Sequence, residues 1–372
     1  MFFKDIIGHQ NIKDTLVQQV KDERVAHAYL FSGIEGVGTL PMAFAFAQYL
    51  NCLSPTDGDS CGVCSSCIKS AKLIHPDIHY VFPIVRDSNT VISDNYLKEW
   101  RGIVLSNPYF SYDKWIGSIT STKKSGVIYS EETNSIFRKL NLKNFEGKHK
   151  IMIVWLPERM NVVGANKILK ILEEPPHSTV FIFVSENTST LLPTIMSRLQ
   201  HISFPAVDVE KIVSFLTEKY SCNSEDAQFF ARVSKGSVIR AIENVESQDD
   251  DTFYFDRFAD MMRSCYSRKI FEVMRLIDEL APLSRDRLKE FIDYSINMLR
   301  ESFIFNFENE NIQFLNRKEL EFVNRFARFI NYDNSQLMVS QLELAYAHIN
   351  QNVNVRIVLF DMMIKIIPLF KS

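Results

Sequence analysis

The sequence predicts an α/β domain followed by an all-helical part, and three observations lead to this fold class. An apolar segment at residues 28–31 runs into a glycine-rich loop that opens a helix-like segment. Two further apolar runs, residues 150–156 and 179–185, are typical of strands buried in a parallel sheet. After Pro205 no strand-like segment follows, so the remainder is predicted to be helical.

Each element of the α/β part has a local signal. Apolar residues recur at helical spacing over Asn11–Lys21, which predicts an amphipathic helix. The helix after the glycine loop contains Pro41 near its start, where the first turn tolerates proline. The helix between the two apolar runs stops at Pro175 and Pro176. Strands that alternate with helices predict a doubly wound α/β layer over residues 1–205.

The second part of the sequence is predicted to be helical throughout. Residues 207–245 contain short helical segments, and residues 253–372 are almost continuously amphipathic. Leu342, Ala345 and Ile349 illustrate the apolar stripe of such a helix. Residues 86–115 resemble an insertion, and the sequence assigns no role to it.

Composition and charge restrict the class of protein. With 372 residues, of which 46% are hydrophobic, the chain is expected to form two or three domains with proper cores. A formal net charge of -3 argues against nucleic-acid binding through a global field, so any such contact must be local. The chain starts without a secretion signal, and Asp361, Lys365 and Pro368 interrupt its most apolar late stretch. We therefore expect a soluble, cytoplasmic protein without membrane contact.

The glycine loop has the frame of a phosphate-binding loop without its ligands. Gly33, Gly36 and Gly38 match the motif G-x-x-x-x-G-K-[ST], but Thr39 stands where lysine is required and Leu40 where a hydroxyl is required. Backbone N–H groups at a helix N-terminus can still face an anion. Residual nucleotide binding is therefore left open at this point.

Four of the six cysteines form a cluster with metal-ligand spacing. Cys52, Cys61, Cys64 and Cys67 follow the pattern C-x8-C-x2-C-x2-C. Four thiolates without an open position predict a structural Zn²⁺ site rather than a catalytic one, and the alternatives are disulfides or free thiols. Because basic residues are few in this segment, a brace for a surface insertion is favoured over a DNA-reading module.

Together these motifs resemble a known family. The segments "HAYLFSG", the glycine loop, the four-cysteine insert, "ANKILKILEEPP" and "LLPTIMSRLQ" occur in this order. In this order they are similar to bacterial clamp-loader subunits of the AAA+ class. The motifs cover residues 3–245, and the architecture extends the resemblance to the rest of the chain.

The resemblance implies three domains. These are a RecA-like AAA+ domain with a parallel sheet at residues 1–205, a small helical lid at 206–250, and a helical collar that mediates oligomerisation at 251–372. The zinc insert occupies about residues 52–67 of the first domain. This division agrees with the order of strands and helices read from the residues.

The resemblance also implies that the nucleotide site is inactive. An ATPase of this class has an acidic pair after the strand at 150–154, where this chain has Trp155 and Leu156. The lid arginine of active members falls on Ile239, and Arg240 comes one residue later, about 100° around the helix. Without the lysine and the metal-holding groups we expect no hydrolysis, and ATP bound weakly or not at all.

One motif of the family is intact. Ser197 and Arg198 match the family's S-R-C motif, although Leu199 replaces the cysteine. The resemblance implies that Arg198 is an arginine finger that acts in trans on ATP in a neighbouring subunit. Taken without the family, an arginine after a serine is more typical of a surface ion pair.

The resulting hypothesis is a non-hydrolysing subunit of the clamp loader of DNA polymerase III. The resemblance implies ATPase subunits and a delta subunit as partners, contact with the sliding clamp through the complex, and primed DNA bound by the assembled ring. Two alternatives remain open: a self-sufficient AAA+ ATPase with an unusual loop, and a zinc-dependent nucleic-acid-binding module.

Overall fold

The chain forms two compact units, Met1–Glu243 and Asn244–Ser372. The computed structural model describes residues 1–56, 58–86, 92–120, 124–246, 248–307, 315, 317–351 and 353–371. The predicted fold class, an α/β layer followed by helices, is confirmed. The boundaries at residues 205 and 250, which separate the lid from its neighbours, stay a prediction.

The first unit contains a parallel sheet with helices around it. The elements that begin in this unit are, in chain order, α1 Gln10–Lys21, β1 Ala28–Ser32, α2 Thr39–Leu50, α3 Ser65–Ala71, β2 Ile78–Val81, α4 Leu97–Ser106, α5 Tyr112–Ile119, α6 Ser130–Leu140, β3 Lys150–Trp155, α7 Val162–Glu173, β4 Thr179–Ser185, α8 Pro193–Met196, β5 Gln200–Ser203, α9 Val209–Tyr220, α10 Ser224–Val233 and α11 Val238–Glu246.

The five strands lie in the order β2-β3-β4-β1-β5, and every pair is parallel. Strands β1, β3 and β4, which the apolar runs predicted, are buried along their whole length. The sequence analysis missed β2 and β5. Strand β5 has the sequence QHIS and is mostly exposed at the sheet edge, so it lacks the apolar run by which buried strands are recognised.

The segment that resembled an insertion belongs to the core of the first unit. Trp100 on α4 stacks on Phe82 with ring centroids 4.2 Å apart, and Trp115 on α5 meets the same ring edge-on at 5.0 Å. The indole N–H of Trp115 donates to the carbonyl of Pro83 at 2.7 Å. Two fully buried tryptophans therefore fix α4 and α5 beside strand β2. Residues 87–91 and 121–123 of the segment lie outside the described residues.

The second unit consists of helices packed around one apolar core. Its elements are α12 Gln248–Ser267, α13 Ile270–Leu280, α14 Arg285–Phe305, α15 Arg317–Phe326, α16 Tyr332–Asn350 and α17 Val355–Ile366. Leu342, Ala345 and Ile349 of the predicted stripe are buried in this core. Over the part of the chain that the structure describes, no helix combines the length and the apolar composition that a membrane crossing requires.

Candidate functional sites

The carboxyl ends of the parallel strands meet at one edge of the sheet, where α/β proteins bind their ligands. Strand β1 leads there into the glycine loop at residues 33–38, and β3 leads into Leu156. Strand β4 leads into Glu186 at the same edge. A nucleotide held by the glycine loop would therefore lie against the residues that follow β3 and β4.

The glycine loop has the backbone conformation of a tight turn before a helix. Gly36 and Gly38 have φ values of 87° and 99°, in the left-handed region that favours glycine. Gly38 is the residue that precedes α2, and Thr39 and Leu40 in the first turn are buried. The structure thus brings together the predicted loop residues Gly33, Gly36, Gly38 and Thr39 in strand, loop and helix, as expected.

The chain itself occupies the space above Gly36. A Cβ added to Gly36 would lie 2.2 Å from the hydroxyl of Ser237 and 2.9 Å from the backbone nitrogen of Ile239. The N–H of Val238 donates to the carbonyl of Gly36 at 2.9 Å. The turn before α11 therefore packs directly on the loop, on the side that the missing side chain of glycine leaves open.

Tyr109, from the segment at residues 86–115, covers Gly38. The phenolic oxygen of Tyr109 lies 3.2 Å from the position of a Cβ on Gly38, and it accepts a hydrogen bond from the N–H of Ile7 at 3.1 Å. Burial raises the pKa of Tyr109, so its ring stays neutral at physiological pH. Nε2 of His9 lies 2.7 Å from the carbonyl oxygen of Val37, the residue before Gly38.

Apolar packing replaces the metal-holding residues after β3. Trp155 is 2% exposed, and its ring centroid lies 5.3 Å from those of Trp100 and Phe110. Leu156 is buried as well and has a φ value of 56°. The two positions where the family has an acidic pair thus belong to the core.

Three carboxyl groups lie near this edge of the sheet, those of Glu35, Glu158 and Glu186. Glu158 accepts hydrogen bonds from the N–H groups of Glu186 and Asn187 at 2.9 and 3.2 Å, which links the ends of β3 and β4. Burial, together with the charges of Glu35 and Glu158, raises the pKa of Glu186 to about 8. Glu186 therefore keeps its proton at neutral pH, and a triphosphate would meet the charges of Glu35 and Glu158 without a lysine to offset them.

Sequence reasoning missed Glu186. Its only signal was its place directly after a buried strand, β4. The guanidinium carbon of Arg159 lies near the same edge, 3.4 Å from the ring centroid of Tyr112, so this cation stacks on an aromatic ring.

The two arginines that the sequence analysis discussed have different surroundings. Ile239 is 6% exposed against Gly36, whereas Arg240 is exposed. Arg198 follows the short helix α8, and its side chain is 34% exposed. Its Nη2 lies 2.7 Å from Oε1 of Glu173, and its Nη1 donates to the carbonyl of Thr194 at 2.7 Å. The guanidinium is therefore held at the surface of its own chain.

Ser197 makes only a local contact. Its hydroxyl donates to the carbonyl of Thr194 at 3.2 Å, and the residue is exposed. It also lies 3.4 Å from Nη1 of Arg198. Ser197 thus contributes to the turn that presents the arginine.

The four cysteines of the predicted cluster lie together. The sulfur atoms of Cys52, Cys61, Cys64 and Cys67 are all within 4.8 Å of one another, and none of them forms a disulfide. Cys52 comes from the end of α2, and Cys64 caps the start of α3. This arrangement can hold one metal ion between four thiolates.

The hydrogen bonds and burial at the cluster fit a cation. N–H groups of Cys64 and Val63 lower the pKa of Cys61 to about 6, which favours its thiolate. Burial raises the pKa of Cys52 and Cys67, which are 2% and 1% exposed, so their thiolates require a positive partner. A divalent ion would supply that charge.

Charged residues near the cysteine cluster make contacts within the chain. The ammonium of Lys69 lies 2.5 Å from a carboxylate oxygen of Glu146, so this cation is paired within the chain. Asp77 accepts hydrogen bonds from the N–H groups of residues 145, 146 and 147 at 2.7 to 2.9 Å. These contacts join the segment after the cluster to the loop before β3.

Comparison with known proteins was made by sequence and by structure. A family model described as DNA polymerase III, delta subunit, matches residues 8–208, more than half of the chain. The DNA polymerase III subunit delta' of Bacillus subtilis is 27% identical over 238 residues, which are 64% of this chain and 58% of that protein. The DNA polymerase III subunit gamma/tau of Mycobacterium tuberculosis is 25% identical over 230 residues, which are 61% of this chain.

The matched region spans 33% of the gamma/tau relative and little more than half of the delta' relative. Among solved structures, a DNA polymerase III gamma subunit-related protein from Thermotoga maritima has a TM-score of 0.40 and 14% identity. The similarity covers 96% of this chain and 99% of that protein.

Proposed function

The chain belongs to the DNA polymerase III delta-subunit family, and from this premise we propose that it is the delta prime subunit of the clamp loader, a subunit that does not hydrolyse ATP. In this role it binds sister ATPase subunits and the delta subunit, supplies Arg198 in trans to a neighbour's nucleotide, and helps to load the sliding clamp on primed DNA.

The packing of the turn at 237–239 on Gly36 carries this proposal. An ATPase needs room above its glycine loop and a lysine to hold the phosphates, and here the chain's own backbone takes the room while Thr39 replaces the lysine. The carboxylates of Glu35 and Glu158 add an unfavourable field. These features favour a non-hydrolysing subunit over a self-sufficient ATPase.

The setting of Arg198 is compatible with action on another subunit. Exposed ion pairs contribute about 0 to 1 kcal/mol to stability, so breaking the contact between Arg198 and Glu173 would cost little free energy. A γ-phosphate carries more charge than a carboxylate and accepts two parallel N–H bonds from a guanidinium. On reaching a neighbour's ATP, Arg198 would exchange Glu173 for phosphate and stabilise the charge of the transition state.

We also propose that the cysteine cluster holds a structural Zn²⁺. Four sulfur ligands within 4.8 Å match the closed tetrahedral sites of zinc. Bound zinc would offset the desolvated thiolates and fix the end of α2 to the start of α3. The pairing of Lys69 with Glu146 favours this bracing role over a nucleic-acid-binding module.

The three-domain division remains part of the proposal. Residues 1–205 would form the RecA-like AAA+ domain, 206–250 the lid, and 251–372 the collar that assembles with sister subunits. Contact with primed DNA would arise through the assembled ring, since the chain has a formal net charge of -3.

Reconstitution with the partner ATPase subunits tests the proposal. Arg198→Ala is expected to abolish DNA-stimulated turnover at one site of the ring, because a finger contributes about three to five orders of magnitude at its site. Assembly, measured by size-exclusion chromatography with light scattering, should be unchanged. Arg240→Ala, which removes an exposed arginine of the same unit, is the matched control and should retain turnover.

Two results would contradict the proposal. Measurable ATP turnover by the purified chain alone would favour the self-sufficient ATPase. Equal turnover for wild type and Arg198→Ala in the assembled complex would contradict the role of Arg198 as an arginine finger.

A further inference from the structure

A groove in the second unit combines aromatic rings with cations. It has a volume of about 440 Å³ and lies between α12 and the segment formed by α15 and the turn at 327–329. Its residues include Arg263, Tyr266, Phe322, Arg325, Arg328 and Phe329. We call it the aromatic groove.

The rings of the aromatic groove are partly accessible. Tyr266 is 51% exposed, and its ring centroid lies 4.7 Å from that of Phe329. The guanidinium carbon of Arg328 lies 4.8 Å from the Phe329 centroid, and that of Arg263 lies 5.8 Å from the Phe322 centroid. Guanidinium groups placed next to aromatic rings offer both charge and flat surface to a ligand.

The cations of the groove belong to exposed residues. Lys318, Arg325 and Arg328 form no ion pair or hydrogen bond through their side chains with any residue that the structure describes. Arg263 contacts Asp260 at 3.6 Å while its side chain stays 68% exposed. The lining contains these four cations and the carboxylate of Glu321. Residues 244–372 contain 16 Lys and Arg against 20 Asp and Glu, so this excess of positive charge is local. It marks a place for an anionic ligand on a unit that is otherwise acidic.

The same combination of a cation and a ring occurs twice along the segment. Lys318 precedes Phe322 by four residues, and Arg325 precedes Phe329 by four. Lys318 and Arg325 are seven residues apart on α15, so they face the same side of the helix about 10 Å from each other, and Phe329 lies in the turn that follows α15. A ligand that fits this face must present more than one anion together with flat groups.

We propose that the aromatic groove binds a single strand of nucleic acid. Lys318, Arg325 and Arg328 would contact phosphates of one strand, and bases would stack on the accessible rings of Tyr266 and Phe329. A duplex keeps its bases inside and cannot reach these rings. An acidic peptide supplies the anions without a flat ring at each repeat, so the rings favour nucleic acid. This inference is independent of the proposed role of Arg198.

The test is fluorescence anisotropy with the full chain and a labelled 20-nucleotide oligothymidylate, titrated at several salt concentrations. Replacing Arg325 and Arg328 together by alanine is expected to weaken binding at least about tenfold and to lower the salt slope by about 1 to 2. The charge-matched control is the double variant Arg275→Ala and Arg356→Ala, whose exposed arginines lie elsewhere in the same unit. It should bind within about twofold of wild type.

Tyr266→Ala tests stacking separately from charge. It is expected to weaken binding to oligothymidylate by about fivefold or more, because stacking on one ring is worth about 1 to 3 kcal/mol. Binding to an abasic strand of the same length should not change. Thermal unfolding of every variant, followed by circular dichroism, verifies that the second unit is intact.

Three outcomes would overturn the proposal. Wild-type chain could fail to bind the single strand, or the control arginine variant could lose as much affinity as the groove variant. Polyglutamate of matched charge could displace the strand as effectively as unlabelled oligothymidylate, which would assign the groove to acidic peptides.

Discussion

Nη2 of Arg198 lies 2.7 Å from Oε1 of Glu173, so the last turn of α7 holds the arginine that follows α8. Side chains of both residues are partly exposed, at 34% and 51%. The sequence separates them by 25 residues. Within its own chain Arg198 therefore has the surface ion pair that an arginine in this setting typically forms, and its proposed role requires that this pair can open.

Glu173→Gln is expected to leave turnover of the reconstituted complex within about threefold of wild type. The pair is exposed, and its loss should change the free energy of unfolding by less than about 1 kcal/mol. Steady-state ATP turnover and urea unfolding provide the measurements. A loss as large as that of Arg198→Ala would show that the arginine acts through Glu173 within its own chain.

Gly36→Ala is expected to destabilise the first unit by about 2 to 3 kcal/mol. The alanine must keep the left-handed backbone conformation of Gly36, which is strained for a residue with a Cβ. Its Cβ would also lie 2.9 Å from the backbone nitrogen of Ile239, and a backbone atom cannot move as freely as the end of a side chain. Urea unfolding followed by circular dichroism measures the change. Gly102→Ala on α4 is the control, since nothing lies within 4 Å of its Cβ, and it should be neutral or stabilising.

Glu186→Gln is expected to stabilise the chain increasingly as pH rises from about 4.5 to about 8. Burial and the charges of Glu35 and Glu158 raise the pKa of Glu186 in the folded chain from its ordinary value of 4.5 to about 8. Wild type therefore loses stability over this window, because the unfolded state releases the proton first. At pH 8 the gain should reach about 4 kcal/mol. Urea unfolding at several pH values measures it, with the exposed Glu99→Gln as control. Parallel curves for Glu186→Gln and wild type would contradict the expectation.

Cys64→Ser is expected to abolish or strongly weaken the binding of one zinc ion per chain and to lower the melting temperature. Cys64 contributes one of four clustered sulfur atoms and also caps α3, so its loss removes a ligand and loosens the insert. Zinc content by mass spectrometry of the purified chain and thermal unfolding with and without a chelator provide the measurements. Cys222→Ser, outside the cluster, should retain the metal. Wild-type chain that purifies without zinc and binds none would refute the metal site.

Local patterns in the sequence predicted much of the fold. Apolar runs predicted β1, β3 and β4, helical periodicity predicted α1 to within one residue, and the two prolines predicted the end of α7 to within two residues. The spacing of the cysteines predicted that their sulfur atoms meet, because four ligands within 16 residues can close around one point. Strand β5 was missed because an exposed edge strand has no continuous apolar run.

The sequence by itself determined the missing lysine at Thr39, the glycines of the loop and the cysteine spacing, since each depends on residues close together in the chain. Only the tertiary structure decided that Ser237 and Ile239 fill the space above Gly36 and that Glu173 pairs with Arg198. It likewise decided that α12 and α15 enclose the aromatic groove. These contacts join residues far apart in sequence, and no local pattern encodes a partner that packing alone brings within reach.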